Sequence, residues 1–174
     1  MSTPDLKARI IQFGQFQATI FQHIQDTLTT LLTAVASNPS LSTTDQGTLT
    51  SVITNLQKSA AQASTELDAI LSFANEITSS SNSNSINGIT AEESILAEGA
   101  LAEQEVESQA LETCASYLGH LVNQIEAATM IPQDLKQMMM SNASGAQSNT
   151  ASALTAGNAA QGNLQQLVQV LGKA

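Results

Sequence analysis

The chain has 174 residues, 42% of them apolar but only 3% aromatic and 11% charged, with five Lys and Arg against 15 Asp and Glu for a net charge of −10. Five cations cannot neutralise a phosphate backbone or hold a protein on anionic lipid, which excludes nucleic-acid binding and basic-patch membrane docking. A single cysteine, Cys114, excludes an internal disulfide and a cysteine-rich zinc site.

The opening Met1-Ser2-Thr3-Pro4-Asp5 is not followed by a continuous apolar segment with a small-residue cleavage site, so no secretory signal peptide is expected. The first apolar stretch, Ile10 to Val35, is interrupted by Gln12, Gln15, Gln17, Gln22, His23, Gln25 and Asp26. No window reaches the ~18 uninterrupted apolar residues of a membrane span.

A first helix is predicted from about Asp5 to Ala36. Leu6, Ile10, Phe13, Ile20, Ile24, Leu28, Leu31 and Val35 recur at three- and four-residue steps, with Gln17 the one polar residue in the seam. Ser37-Asn38-Pro39-Ser40 then makes a turn, because Pro39 disfavours helix at Asn38.

The second helix is predicted from about Thr44 to Ile77, on the stripe Leu49, Val52, Leu56, Ala60, Ala63, Leu67, Ile70, Ala74 and Ile77. Thr43 followed by Gln46 fits a capping box at its start. A Ser/Asn-rich stretch over 79–89 reads as a flexible linker.

Thr90-Ala91-Glu92-Glu93 fits a capping box for the third helix, and its acids suit the positive end of the helix dipole. The stripe Leu111, Cys114, Leu118, Leu121 and Ile125, extended backwards, lands on Glu107 and Glu103. The early half of this helix is therefore expected to rotate out of the seam or leave the bundle, with Gly99 as the weak point. Ile131-Pro132 breaks the chain again.

The fourth helix is predicted from about Gln133 to Leu171, on Leu135, Met139, Asn142, Ala146, Asn149, Ala153, Gly157, Ala160, Leu164, Leu167 and Leu171. Its small seam residues, Ala146, Ala153, Gly157 and Ala160, are candidates for close helix packing. They bury little area each, so this helix depends on neighbours for stability.

No segment keeps the two-residue alternation of a strand. The fold expected is all-α: an elongated bundle of three to four long antiparallel amphipathic helices. Residues 1–78 would form one helical hairpin and 90–174 a second, joined by the linker into one bundle domain.

Few constellations carry chemistry. Glu92, Glu93, Glu98, Glu103, Glu105, Glu107 and Glu112 crowd α-helical sequence without a Lys or Arg, and as a run they read as a solvated face. Glu103 and Glu107, one turn apart, continue an apolar stripe. Burying both as charges would be costly, so exposure or a contact with a partner is expected there.

His23 and His120 lack the Glu three residues earlier that a di-iron bundle needs, and both read as surface or rim residues. Cys114 lies on the Leu111/Leu118 stripe, about 240° around the helix from His120, and reads as a small buried hydrophobe. No nucleophile elbow, phosphate loop or zinc-protease motif is present, so no enzymatic activity, cofactor or metal is expected. Met138 and Met140 flank the seam and stand as candidate partner contacts, as does Phe21 beside the Phe13, Phe16 and Ile20 stripe.

The segment from Ser144-Gly145-Ala146 through Ala153-Leu154-Thr155-Ala156-Gly157-Asn158 to Leu164-Gln165-Gln166-Leu167 resembles the C-terminal helix of TrbJ-like conjugal transfer proteins, the minor-pilin group of type IV secretion systems. The resemblance covers about 35 residues of an Ala/Gln-rich helix with an Ala-Gly-Asn step. It implies an extracytoplasmic helical subunit at a pilus, with no catalytic residues to carry over. That family is typically exported through a signal peptide, and none is expected here. In composition the chain is also similar in style to secreted filament or translocator subunits of type III systems, which lack cleaved signals.

The expected function is that of a secretion- or pilus-associated structural subunit. It would act by helix packing and self-association with other protein subunits, at the cell surface or outside it by a signal-less route. A secreted pore-forming or translocator-type protein and a cytoplasmic or virion structural bundle are the alternatives.

Overall fold

The first helix opens on Ser2, whose Oγ accepts from the Asp5 N–H at 3.3 Å and donates to the Asp5 carboxylate at 2.6 Å. Pro4 in the first turn needs no hydrogen-bond partner there. The computed structural model describes residues 2–77, 87–128 and 131–172, with side chains of the third helix from Glu93 onward. Helix α1 runs over Thr3–Ser37, α2 over Thr43–Glu76, α3 over Asn87–Ala127 and α4 over Gln133–Gly172. Among the described residues there is no strand, and the fold is an all-α bundle of four long helices. At 35 residues, α1 alone is about 50 Å long.

Each helix packs on two neighbours around a ring: α1 on α2 and α4, α3 on α2 and α4. Short connections link α1 to α2 and α3 to α4, so consecutive helices are antiparallel and the diagonal pairs run parallel. At the first turn Asn38 leaves the helix in an extended conformation, and its Oδ1 accepts from the Ser40 N–H at 2.8 Å.

The cap of α2 is Ser42, not Thr43: its Oγ accepts from the Asp45 N–H at 3.1 Å. Gln46 instead turns back to donate to the carbonyls of Val35 and Ala36, both at 3.3 Å. This meets, for α1, a problem that all four helices share: their last turns contain no basic residue to meet their free carbonyls. Lys7 of α1 donates to Ile77 O at 2.6 Å and Asn75 O at 3.4 Å, at the end of α2. Lys136 of α4 donates to Glu126 O at 3.2 Å, at the end of α3. Two of the five cations thus serve helix ends on neighbouring helices.

The third helix begins at Asn87, so the last residues of the expected 79–89 linker are helical and Thr90 does not mark the boundary. The side chains of Thr90 and Glu92, and residues 78–86, lie outside the described residues. The expected departure of early α3 from the bundle does not occur. Ala97, Ala100, Gln104 and Glu107 are all buried in line with Leu111, because the seam steps back by three from Glu107 to Gln104 and never reaches Glu103. Gly99 packs beneath the Phe73 ring.

Similar register corrections occur elsewhere. In α2 Ile53 fills the seam and Val52 is half-buried. In α1 Gly14 and Phe21 are buried alongside the expected Gln17 and Ile20, leaving Phe13 half-buried at the edge. Leu71 occupies the space that a side chain at Gly14 would need.

The apolar core comes in two parts. One is built from Ile20 to Val35, Leu41 to Leu67, Ala110 to Ile131 and Met139 to Ala153. The other comprises Leu6, Ile10, Ile70, Ala74, Ile77, Ala97, Ala100, Leu164, Leu167 and Leu171. The first lies at the end of the bundle where α1 leads into α2 and α3 into α4, and the second contains the outer ends of α1 and α4.

Candidate interaction face and buried polar layer

The helices carry charge very unequally. Helix α3 holds eight of the 15 acidic residues and no Lys or Arg, and α2 holds four acids against Lys58. In α1 the charges balance as Asp5 and Asp26 against Lys7 and Arg9, and in α4 as Asp134 against Lys136. Between Arg9 and Asp26, and again from Gln137 to Gly172, there is no Asp, Glu, Lys or Arg. Because α1 and α4 are ring neighbours, these stretches form one side of the bundle.

An open groove of about 680 Å³ lies on that side, lined by Gln12, Phe13 and Phe16 from α1 and by Ala151, Ser152, Thr155, Ala156 and Ala159 from α4. Phe16 is 53% exposed, unusual for a ring that large. The small residues of α4 make the floor, so an apolar side chain or helix can approach closely.

Directly inside this groove sits a polar layer. Gln17 of α1 reaches across the diagonal, and its Nε2 donates to Glu107 Oε1 of α3 at 2.6 Å and to Ala153 O of α4 at 2.8 Å. Gln104 Nε2 donates to the same Glu107 oxygen at 3.1 Å. Gln17, Gln104 and Glu107 are all fully buried. Glu107 Oε2, Gln17 Oε1 and Gln104 Oε1 have no hydrogen-bond partner. Burial pushes the Glu107 carboxyl up from its ordinary 4.5 to about 7, against a smaller lowering by the Gln104 and Gln17 hydrogen bonds.

Gly157 makes room for this layer. A Cβ there would stand 2.9 Å from Gln17 Nε2, 3.1 Å from Gln104 Nε2 and 3.5 Å from Glu107 Oε1. Gly157→Ala should therefore lower stability by about 1–3 kcal/mol despite alanine's better helix propensity, by displacing both amides. On the same helix a Cβ at Gly162 meets nothing within 4 Å. Gly162→Ala should raise stability by about 0.5–1 kcal/mol. Urea midpoints of the two variants should move in opposite directions.

The structure corrects two of the expected contact residues. Phe21 is 2% exposed and belongs to the core, so it is no surface anchor. Glu107 is likewise interior, while Glu103, one turn away, is half-buried at the margin. Met138 and Met140 are half-buried and pack against the core around Met139, and Ala146, Ala153, Gly157 and Ala160 are buried. Phe16, missed as a contact residue, shares the stripe spacing of Phe13 and Ile20, and only its position on the helix circumference separates it from them.

Cys114 is buried, and burial pushes its thiol up to about 11, which keeps it protonated and unreactive at neutral pH. His23 and His120 are exposed. Among the described residues no group of three His, Cys, Asp or Glu is placed to hold a metal ion, and no helix is long and apolar enough to cross a membrane. No family model matches the chain, and no similar curated protein was found.

Proposed function

We propose that this protein is a non-enzymatic structural subunit that self-associates through the α1–α4 side of its bundle. The observation that carries this reading is the uneven charge. Two copies with a net charge of −10 repel most strongly through α2 and α3, and least through the face where charge is absent or balanced. On that face Phe16 offers an apolar knob and the Ala151–Ala159 stretch a shallow receptor, so a two-fold pair would place each ring in the other's groove. Secretion- and pilus-associated assembly is the setting that the resemblance of the C-terminal helix supports.

Sedimentation velocity tests the self-association. The chain should form dimers or larger species that strengthen as salt rises from about 0.01 M to about 0.5 M, because screening removes the acidic repulsion. Phe16→Asp should leave it monomeric by placing a like charge in the contact, whereas Ser116→Asp on α3 should have little effect. A chain that stays monomeric at the highest soluble concentration would refute the reading. Fractionation of native cells tests the setting, with recovery from the medium or sheared surface material expected.

A further inference from the structure

We propose that the Gln17–Gln104–Glu107 layer is a proton-operated clasp: protonation of Glu107 closes it, and ionisation loosens α1 and α4 from α3 at that level while the apolar halves on either side stay packed. This stands apart from self-association and does not require it.

The layer's hydrogen bonding is the first reason. Glu107 Oε1 accepts from both glutamines, and three further oxygens, Glu107 Oε2, Gln17 Oε1 and Gln104 Oε1, are buried with nothing to accept. When Glu107 is ionised, the layer has an excess of acceptors and a desolvated charge. A proton taken from solvent onto Oε2 removes the charge and turns one orphan acceptor into a donor, which one of the amide oxygens can receive. The Gln17 amide nitrogen joins three helices, tying α1 to α3 through the Glu107 carboxyl and to α4 through the Ala153 carbonyl.

No neighbouring charge can hold the ionised form. Helix α4 has none between Lys136 and Lys173, and α1 has only Asp5, Lys7, Arg9 and Asp26 besides His23, none of them buried. On α2 the charges nearest this level are Glu66 and Asp68, both acidic, and on α3 they are Glu103 and Glu105. None of these is a cation positioned to pair with Glu107.

The location is the second reason. The layer falls where the apolar core divides in two. The α4 residues beside it, Ala153, Ala156, Gly157 and Ala160, bury little area, so separation here costs far less than unpacking the Leu- and Ile-filled halves.

Hydrogen exchange of the full chain, read by mass spectrometry and corrected for the intrinsic pH dependence of exchange, tests this. Between about pH 5.5 and about pH 8, protection should fall roughly tenfold or more in α1 around Ile10–Ile20 and α4 around Thr150–Ala160. The segments around Leu28–Val35 and Leu118–Ile125 should change much less. Glu107→Gln should abolish the local fall, with Glu107→Leu as a second neutral variant. Carbon-detected NMR should show the Glu107 carboxyl of the wild-type chain titrating near neutrality. A uniform loss of protection along all four helices, the same pH response in both variants, or a carboxyl that titrates in the ordinary range would each overturn the clasp.

Discussion

Phe21→Ala is expected to cost about 3–5 kcal/mol, a large share of the 5–15 kcal/mol that holds most domains folded. Phe16→Ala, five residues earlier on the same helix, should change the stability of the isolated chain by less than about 0.5 kcal/mol. The difference lies in what each ring touches. Phe21 is 2% exposed and belongs with Ile20 and Ile24 to the larger core, so its loss leaves a cavity among packed side chains. Phe16 is 53% exposed at the rim of the α1–α4 groove, so truncation removes little buried area. Chemical denaturation at low protein concentration should separate the two by several kcal/mol, and sedimentation should reverse their order of importance.

Glu107→Gln should stabilise the protein at pH 8 and flatten the dependence of stability on pH. The wild-type carboxyl is raised from 4.5 in the unfolded chain to about 7 in the fold. Between those values the folded state binds more protons than the unfolded state, so stability falls as pH rises through that window. Below about pH 4.5 both states are protonated and the group contributes no penalty. Above about pH 7 both are ionised and the full penalty applies, about 2–4 kcal/mol at ~1.4 kcal/mol per pKa unit. Glutamine keeps the oxygen that accepts from Gln17 and Gln104 and carries no charge, so the variant should escape that loss. Thermal melts should place Glu107→Gln about 5–10 °C above wild type at pH 8 and close to it at pH 4.5. Equal melting temperatures at pH 8 would mean that the wild-type carboxyl is well solvated.

Much of the fold is legible in the sequence because a long amphipathic helix repeats its instruction many times. In α2 nine apolar positions keep the beat, and mistaking Val52 for Ile53 shifts one contact without moving the helix. Helix ends are harder, since one side chain decides them: Ser42 rather than Thr43 caps α2, and Gln46 serves the helix before it. The polar layer was the least legible. Gln17 appears as a gap in one seam and Glu107 as an interruption in another, and each alone argues for exposure. Their pairing depends on the relative height of α1 and α3, which are diagonal to one another and separated by α2 in the chain. No periodicity within either helix encodes that height. Gly157 completes the set from a third helix, α4, where it looks like one small residue among many.

The positions of the helix ends have a mechanical consequence. Leu6 near the start of α1 and Leu171 near the end of α4 belong to the same half of the core, so the two outer ends of the helices emerge together. A force that pulled those ends apart would peel α1 from α4 one turn at a time, as a zipper opens, instead of sliding all turns past each other at once. Resistance would then vary along the seam. It would be met first at Leu6, Ile10, Leu167 and Leu164, next at the hydrogen bonds of Gln17, and last in the Leu- and Ile-filled half beyond. A molecule loaded in that direction would yield in steps, with its most robust portion, the half beyond the polar layer, giving way only at the end.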